Sequence, residues 1–160
     1  MAVAEIIGAA IGVLLLVVVA YLLVGGTLSA AETVVTAQKD MTLMSEARLR
    51  TSITISDVVI DGTNLSFSIT NNGNEVVTDL PHMDIFSYNR TNGYTQYTYD
   101  SQALRTEGTW YVVTFEKDYI HARQLDPGVT LKGIAVLEAG DIPVDIRAIT
   151  SNGVSASAAI

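Results

Sequence analysis

The chain has 160 residues, a formal net charge of −8 and no cysteine. An acidic balance without a basic patch has nothing with which to release counterions from phosphates, which excludes nucleic acid as a partner. The lack of cysteine excludes a disulfide framework, thiolate metal sites and a thiol nucleophile, and the apolar residues are concentrated at the N-terminus.

The opening MAVAE places Glu5 at the edge of an apolar run. A carboxylate there is costly unless it sits among lipid headgroups, where a helix N-terminus favours it, or is paired. Glutamate at this position resembles the fifth mature residue of type IV pilins, which pairs with the α-amino group of a neighbouring subunit. Residues 6–24, IIGAAIGVLLLVVVAYLLV, hold no charge, proline or amide side chain. As a helix they extend roughly 28 Å, close to the ~30 Å hydrocarbon core of a bilayer. Lipid offers no partner to an unpaired backbone group, so this run is predicted to be a transmembrane helix, with membrane lipid its partner. A cleaved signal is disfavoured by the missing basic n-region, the long apolar run and the poor cleavage site GGTLSAAE.

Gly25-Gly26 is a candidate hinge or kink. Beyond it, Ala30, Val34, Ala37, Met41 and Met44 fall at spacings of four, three, four and three, a narrow seam along a polar stalk. Small residues at Gly8, Ala9 and Gly12 allow close helix approach in lipid. Glu5, Gly8, Gly12, Ala30, Val34, Ala37, Met41 and Met44 are therefore the candidate self-association residues, and a homo-oligomer is expected. The alternative for the stalk is an amphipathic helix packed on its own domain. Residues 1–47 form the helical segment in this reading and residues 48–160 a second domain.

Past Arg50 the period changes from helical to two. TSITISDVVI alternates and slips near Asp57-Val58, as a bulge would make it. DGTN is a turn, and NLSFSIT turns Leu65, Phe67 and Ile69 to one face. NNGN at 71–74 is a further turn, with Gly73 or an asparagine at positive φ. EVVTDLPHMDIFSYN, the turn RTNG and YTQYTY follow. TWYVVTFEK sets Trp110, Val112 and Thr114 against Tyr111, Val113 and Phe115. LDPG at 125–128 is a proline turn, and VTLKGIAVLEAG and DIPVDIRAITSNG complete the pattern. The expected fold class is α+β: a long N-terminal transmembrane and stalk helix followed by an antiparallel, immunoglobulin-like β-sandwich of seven or eight strands.

Chemistry is sparse. His82 and His121 are far apart, and His82-x-Asp84 would share a strand face with no third ligand nearby. No nucleophile elbow, phosphate loop or HExxH helix occurs. Asp57 and Asp61 read as a solvated turn rather than a calcium site. Trp110-Tyr111 and YNRTNGYTQYTY read as strand packing, with a tyrosine-rich binding surface as the alternative. No catalytic, cofactor or metal residue is assigned, and no enzyme activity is expected. Asn64-Leu-Ser66 and Asn89-Arg-Thr91 are N-glycosylation sequons, the second in the more accessible turn. They place the domain outside the cytoplasm if modified. Charge bias points the other way, but the first cation, Lys39, lies far past the span among acidic residues.

The order of apolar span, stalk TAQKDMTLMSEARLRTSITI, SITNNGNEVV, MDIFSY, LDPGVTLKGIAVL and VDIRAITSNGVSAS resembles the archaellum accessory proteins of the FlaF/FlaG type. The residues that carry the resemblance are Asn72-Gly73, Asp84 and Phe86, Asp126-Pro127-Gly128 and Asn152-Gly153-Val154. It implies a single-pass protein of the archaeal cell membrane with an extracytoplasmic sandwich. That sandwich would contact the surface layer, other archaellum components or its own copies, as a fixed stator of the motility apparatus. Two alternatives stay open: a type IV pilus-like or archaellum filament subunit, extracellular with its helices in the filament core, and a membrane-tethered solute-binding module or enzyme.

Overall fold

A computed structural model describes residues 2–117 and 120–160; Met1, which opens the expected helical segment, lies outside them. Its backbone forms two compact units, Met1–Leu43 and Met44–Ile160.

A single helix, α1 (Ala2–Arg50), runs without interruption through Gly25-Gly26, three residues past the Ala47 boundary read from the sequence. Ala, Leu, Met, Glu and Arg support helix in its polar half, and the valines of the apolar half are tolerated because the helix satisfies its own backbone. Glu5 sits in the first turn and Arg48 and Arg50 in the last, each complementing the helix dipole. Thr33, Thr36 and Thr42 return their hydroxyls to the carbonyls four residues back. From Val3 to Glu46 every side chain is exposed.

Among the described residues the second unit holds eight strands: β1 (Ile53–Asp61), β2 (Asn64–Asn71), β3 (Asp84–Asn89), β4 (Gly93–Tyr99), β5 (Thr109–Glu116), β6 (Thr130–Val136), β7 (Asp145–Ile149) and β8 (Ser155–Ala159). Their hydrogen-bonded order is β1-β2-β6-β5-β4-β3-β7-β8. Every pairing is antiparallel except β4 with β5, which meet in parallel over two residue pairs, Thr98 with Thr109 and Tyr99 with Trp110. That short seam divides the order into two layers, β1-β2-β6-β5 and β4-β3-β7-β8. Successive hairpins alternate between the layers, the ABED and C′CFG arrangement of an immunoglobulin-like sandwich. At the opposite margin β1 and β8 lie side by side.

The strand period explains the core. Leu65, Phe67 and Ile69 of β2 face Ile85 of β3, Tyr97 of β4 and Ile146 and Ala148 of β7, all buried in one cluster with Trp110 and Leu131. Gly133 leaves room for the Phe67 ring: a Cβ there would lie 2.7 Å from its Cζ. The β1 ladder slips between Ser56 and Val59, where Asp57 takes φ 51°, the bulge that the broken alternation predicts. A second bulge, between Val112 and Thr114, alters the expected faces of β5. Trp110 and Val112 share a face as expected, and it points inward, but past the bulge Phe115 replaces Thr114 on the core side. The EVVTDLPHM segment is not strand. It contributes one bridge, Val77 to Leu125, and a 3-10 turn over Leu80–His82.

Candidate functional site

The described residues contain no group of three or more His, Cys, Asp or Glu placed to hold a metal ion. His82 and Asp84 do not share a strand face, contrary to the expectation, because His82 closes the 3-10 turn before β3 begins. His82 Nδ1 lies 2.7 Å from Asp79 Oδ1. That hydrogen bond, with the Asp79 charge, raises the imidazole above its ordinary value. Asp84 instead accepts a hydrogen bond from Gln96 Nε2 across the β3–β4 hairpin, at 2.9 Å. The side chain of His82 is 78% exposed, so this is a solvated surface pair.

A second His–Asp pair was invisible in the sequence. Asp126 is 1% exposed. It accepts the backbone N–H of His121 at 3.0 Å and lies 2.9 Å from His121 Nδ1. The imidazole hydrogen bond holds the Asp126 carboxyl below its ordinary value. The pair ties the loop before β6 to the LDPG turn, in which Gly128 takes φ 81°. Among the described residues no group of metal ligands forms around it, and its work is to fold the turn.

The most organised polar site surrounds the end of α1. Asn71 is fully buried, donating from Nδ2 to the carbonyls of Glu75 (2.7 Å) and Leu125 (2.8 Å) and accepting the Gly73 N–H at Oδ1 (2.9 Å). Its carbonyl accepts the N–H of Gly128 in the LDPG turn. The NNGN turn then closes on the helix terminus: Asn74 N–H reaches the Arg50 carbonyl at 2.8 Å, and Asn72 N–H the Ser52 carbonyl at 2.8 Å. Gly73 does not take positive φ, contrary to the expectation. It is glycine for close approach, since a Cβ would lie 2.4 Å from the Arg50 carbonyl oxygen. From the other side Asn152 Nδ2 donates to Thr51 Oγ1 at 2.7 Å, and Thr51 Oγ1 donates to the Ala47 carbonyl at 2.8 Å. Arg50 and Glu75 face each other at 3.9 Å. Asn72-Gly73, Asp126-Pro127-Gly128 and Asn152-Gly153 thus meet at one end of the sandwich: the NNGN turn and Asn152 hold residues 47–52 directly, and the LDPG turn bonds to Asn71 behind them.

Asp84 and Phe86 lie elsewhere, on the outward face of β3. There Phe86, Tyr94, Arg147 and Ile149 line a shallow groove, and the Tyr88 and Tyr94 rings are 4.8 Å apart. Tyr97 and Tyr99, the other aromatics of the tyrosine-rich stretch, pack against the core. Trp110, Tyr111 and Tyr97 are buried, and the Tyr97 hydroxyl is 2.8 Å from Ser87 Oγ. Burial pushes the Tyr97 phenol up.

The candidate self-association residues all lie on α1. Glu5 is in its first turn, a Cβ at Gly8 or Gly12 would meet nothing, and Ala30, Val34, Ala37, Met41 and Met44 are exposed. Of the sequon asparagines, Asn64 opens β2 and Asn89 closes β3.

No family model matches the chain, and no curated protein does. Among solved structures it is similar to the archaellum periplasmic stator protein FlaG from Sulfolobus acidocaldarius. The TM-score is 0.52 at 18% identity, covering 69% of this chain and 99% of that one. The fold is shared with FlaG. It is also similar to the stator protein complex of FlaF and FlaG from the same organism, with a TM-score of 0.51 at 17% identity over 68% of this chain and 87% of that one. At such identities the agreement is one of backbone, and it falls on the protein type that the turn motifs resemble.

Proposed function

We propose that the chain is a membrane-tethered structural component of the archaellum, of the FlaF/FlaG stator type, and not an enzyme. The observation that carries this reading is the conjunction of a FlaG-like sandwich with a helix long and apolar enough to cross a bilayer. Residues 6–24 sit in the cell membrane and residues 50–160 lie outside the cytoplasm. There the sandwich contacts the surface layer, other archaellum components or its own copies. The absence of a metal cluster among the described residues fits a part that bears load. So does the hydrogen-bonded grip on residues 47–52, which ties the helix terminus to two separate turns.

In this reading homo-oligomerisation runs through α1. The small residues Gly8 and Gly12 meet in lipid, and the seam from Ala30 to Met44 continues the contact in water. One observation favours the filament subunit as the second reading. α1 is continuous from Ala2 to Arg50 with its apolar side chains exposed and Glu5 in its first turn, so the same helix suits a bundle of its own copies.

Protease added to intact cells stripped of any surface layer should digest residues 50–160, and protection until lysis would reverse the orientation. Electron microscopy of the purified full-length protein then separates the readings, since discrete oligomers are expected of a stator and long polymers of a filament subunit. Light scattering in detergent should show an oligomer that Gly8→Leu with Gly12→Leu diminishes. Equal masses for wild type and the double variant would remove the small-residue interface.

A further inference from the structure

The two sequons occupy different kinds of backbone. Asn64 begins a strand paired on both sides, with Asp61 of β1 and with Val136 of β6. Leu65, the middle residue, is fully buried, and the Ser66 hydroxyl donates to the Val59 carbonyl at 3.1 Å. A glycosyl-transferring enzyme must hold the asparagine, the hydroxyl two residues on and the backbone between them in its own cleft. Reaching Asn64 therefore means stripping β2 from both neighbours.

Asn89-Arg90-Thr91 runs over the tip of the β3–β4 hairpin, where Asn89 pairs with Gly93 at φ 82°. Arg90 and Thr91 are exposed. The Thr91 hydroxyl makes no hydrogen bond among the described residues, while its N–H donates to Asn89 Oδ1 at 2.8 Å. Asn89 Nδ2 donates to Asp141 Oδ1, a partner 52 residues further along the chain. We propose that Asn89 is an N-glycosylation site of this protein and that Asn64 is not.

The proposal rests on the extracytoplasmic placement of the sandwich. In the folded sandwich the Asn89 amide is freed by turning one partly buried side chain away from Asp141, with no strand unpaired. The donor is a lipid-pyrophosphate-linked oligosaccharide. Asn89 Nδ2 forms a bond to its anomeric carbon as the bond from that carbon to the pyrophosphate oxygen breaks. The lipid pyrophosphate leaves with the electron pair, and one amide hydrogen passes as a proton to the base of the transferase. An amide nitrogen carries two hydrogens, so one remains to donate to Asp141 after the transfer. The glycan then stands at a hairpin tip, where bulk costs the fold nothing.

The test is mass spectrometry of the full-length protein taken from the membranes of its own host. Chymotrypsin replaces trypsin, which would cut the sequon at Arg90. A glycan mass on the Asn89 peptide and none on the Asn64 peptide is expected. Thr91→Ala should abolish the modification and Thr91→Ser retain it. Asn89→Gln, which keeps an amide for Asp141, should give an unmodified chain with an unchanged melting midpoint. Unmodified Asn89 in a protein whose domain is open to external protease overturns this inference alone. Unmodified Asn89 in a protected domain overturns it together with the orientation, and glycan on Asn64 overturns the selectivity.

Discussion

α1 and the sandwich solve the same problem, burying apolar side chains without stranding backbone groups, in opposite ways. The helix pairs its own N–H and C=O groups locally and leaves Leu14, Leu15, Leu16, Leu22 and Leu23 exposed, so its apolar surface has to be covered by lipid or by other helices. Each strand of the sandwich depends on neighbours for its hydrogen bonds, and in meeting them buries Leu65, Phe67, Ile69, Trp110 and Leu131 among themselves. The first region is complete as a backbone and incomplete as a surface. In the second, backbone and core are completed together.

The largest effect expected from this contrast is on solubility. A chain beginning at Met44, the start of the second compact unit, should be soluble without detergent and keep its β-sheet circular dichroism, while the full-length chain should sediment. Loss of the sheet signal on truncation would mean that the sandwich needs the helix to fold.

Within the sandwich, Trp110→Ala should come next. The indole is fully buried between the Phe67 and Tyr99 rings, with centroids at 6.3 and 4.9 Å. Removing it should cost about 3–5 kcal/mol in a denaturant titration, whereas Leu15→Ala on the exposed helix should leave the unfolding of the sandwich unchanged. Gly73→Ala should follow at about 1–3 kcal/mol. The added methyl meets the Arg50 carbonyl and the Ser52 nitrogen, which are backbone and cannot swing aside. Near-zero loss would show that the grip on residues 47–52 is slack.

The smallest effect is on pH dependence. Asp126 has its folded value lowered by His121, so its contribution is complete above the ordinary carboxylate range. It is lost as pH falls through the lowered value. Asp126→Asn should therefore flatten the acid limb of a melting-temperature profile. His82 carries the opposite sign: its raised folded value makes its contribution complete below the ordinary imidazole range and lost as pH rises through the raised value. Because the pair is solvated, His82→Ala should be indistinguishable from wild type at physiological salt. A profile in which only the His82 variant departs would reverse the assignment of which pair matters.

What could be read in advance was local. An uncharged run at 6–24 declares a helix because no other backbone arrangement can sit in lipid unaided. Alternation at Leu65, Phe67 and Ile69 declares a strand with one buried face, and Asn, Gly, Pro and Asp mark where strands turn. Even the Asp57 bulge showed itself, as a break in the alternation. The candidate site was legible only as punctuation, since nothing in NNGN, LDPG or SNG says that the three turns lie together. SASAA at 155–159 carries almost no strand signal and becomes β8 because β7 offers it a ladder. Phe115 changes face because a bulge at Val113 is set by pairing with β6. His121 finds Asp126, and Gly73 meets Arg50, only after distant segments are brought together. Periodicity and turn chemistry are written over a few neighbouring residues, so the sequence determined the apolar helix, the strands and the turns. Ladder register, bulge position and contact between turns depend on residues far apart in the chain, and only the tertiary structure decided those.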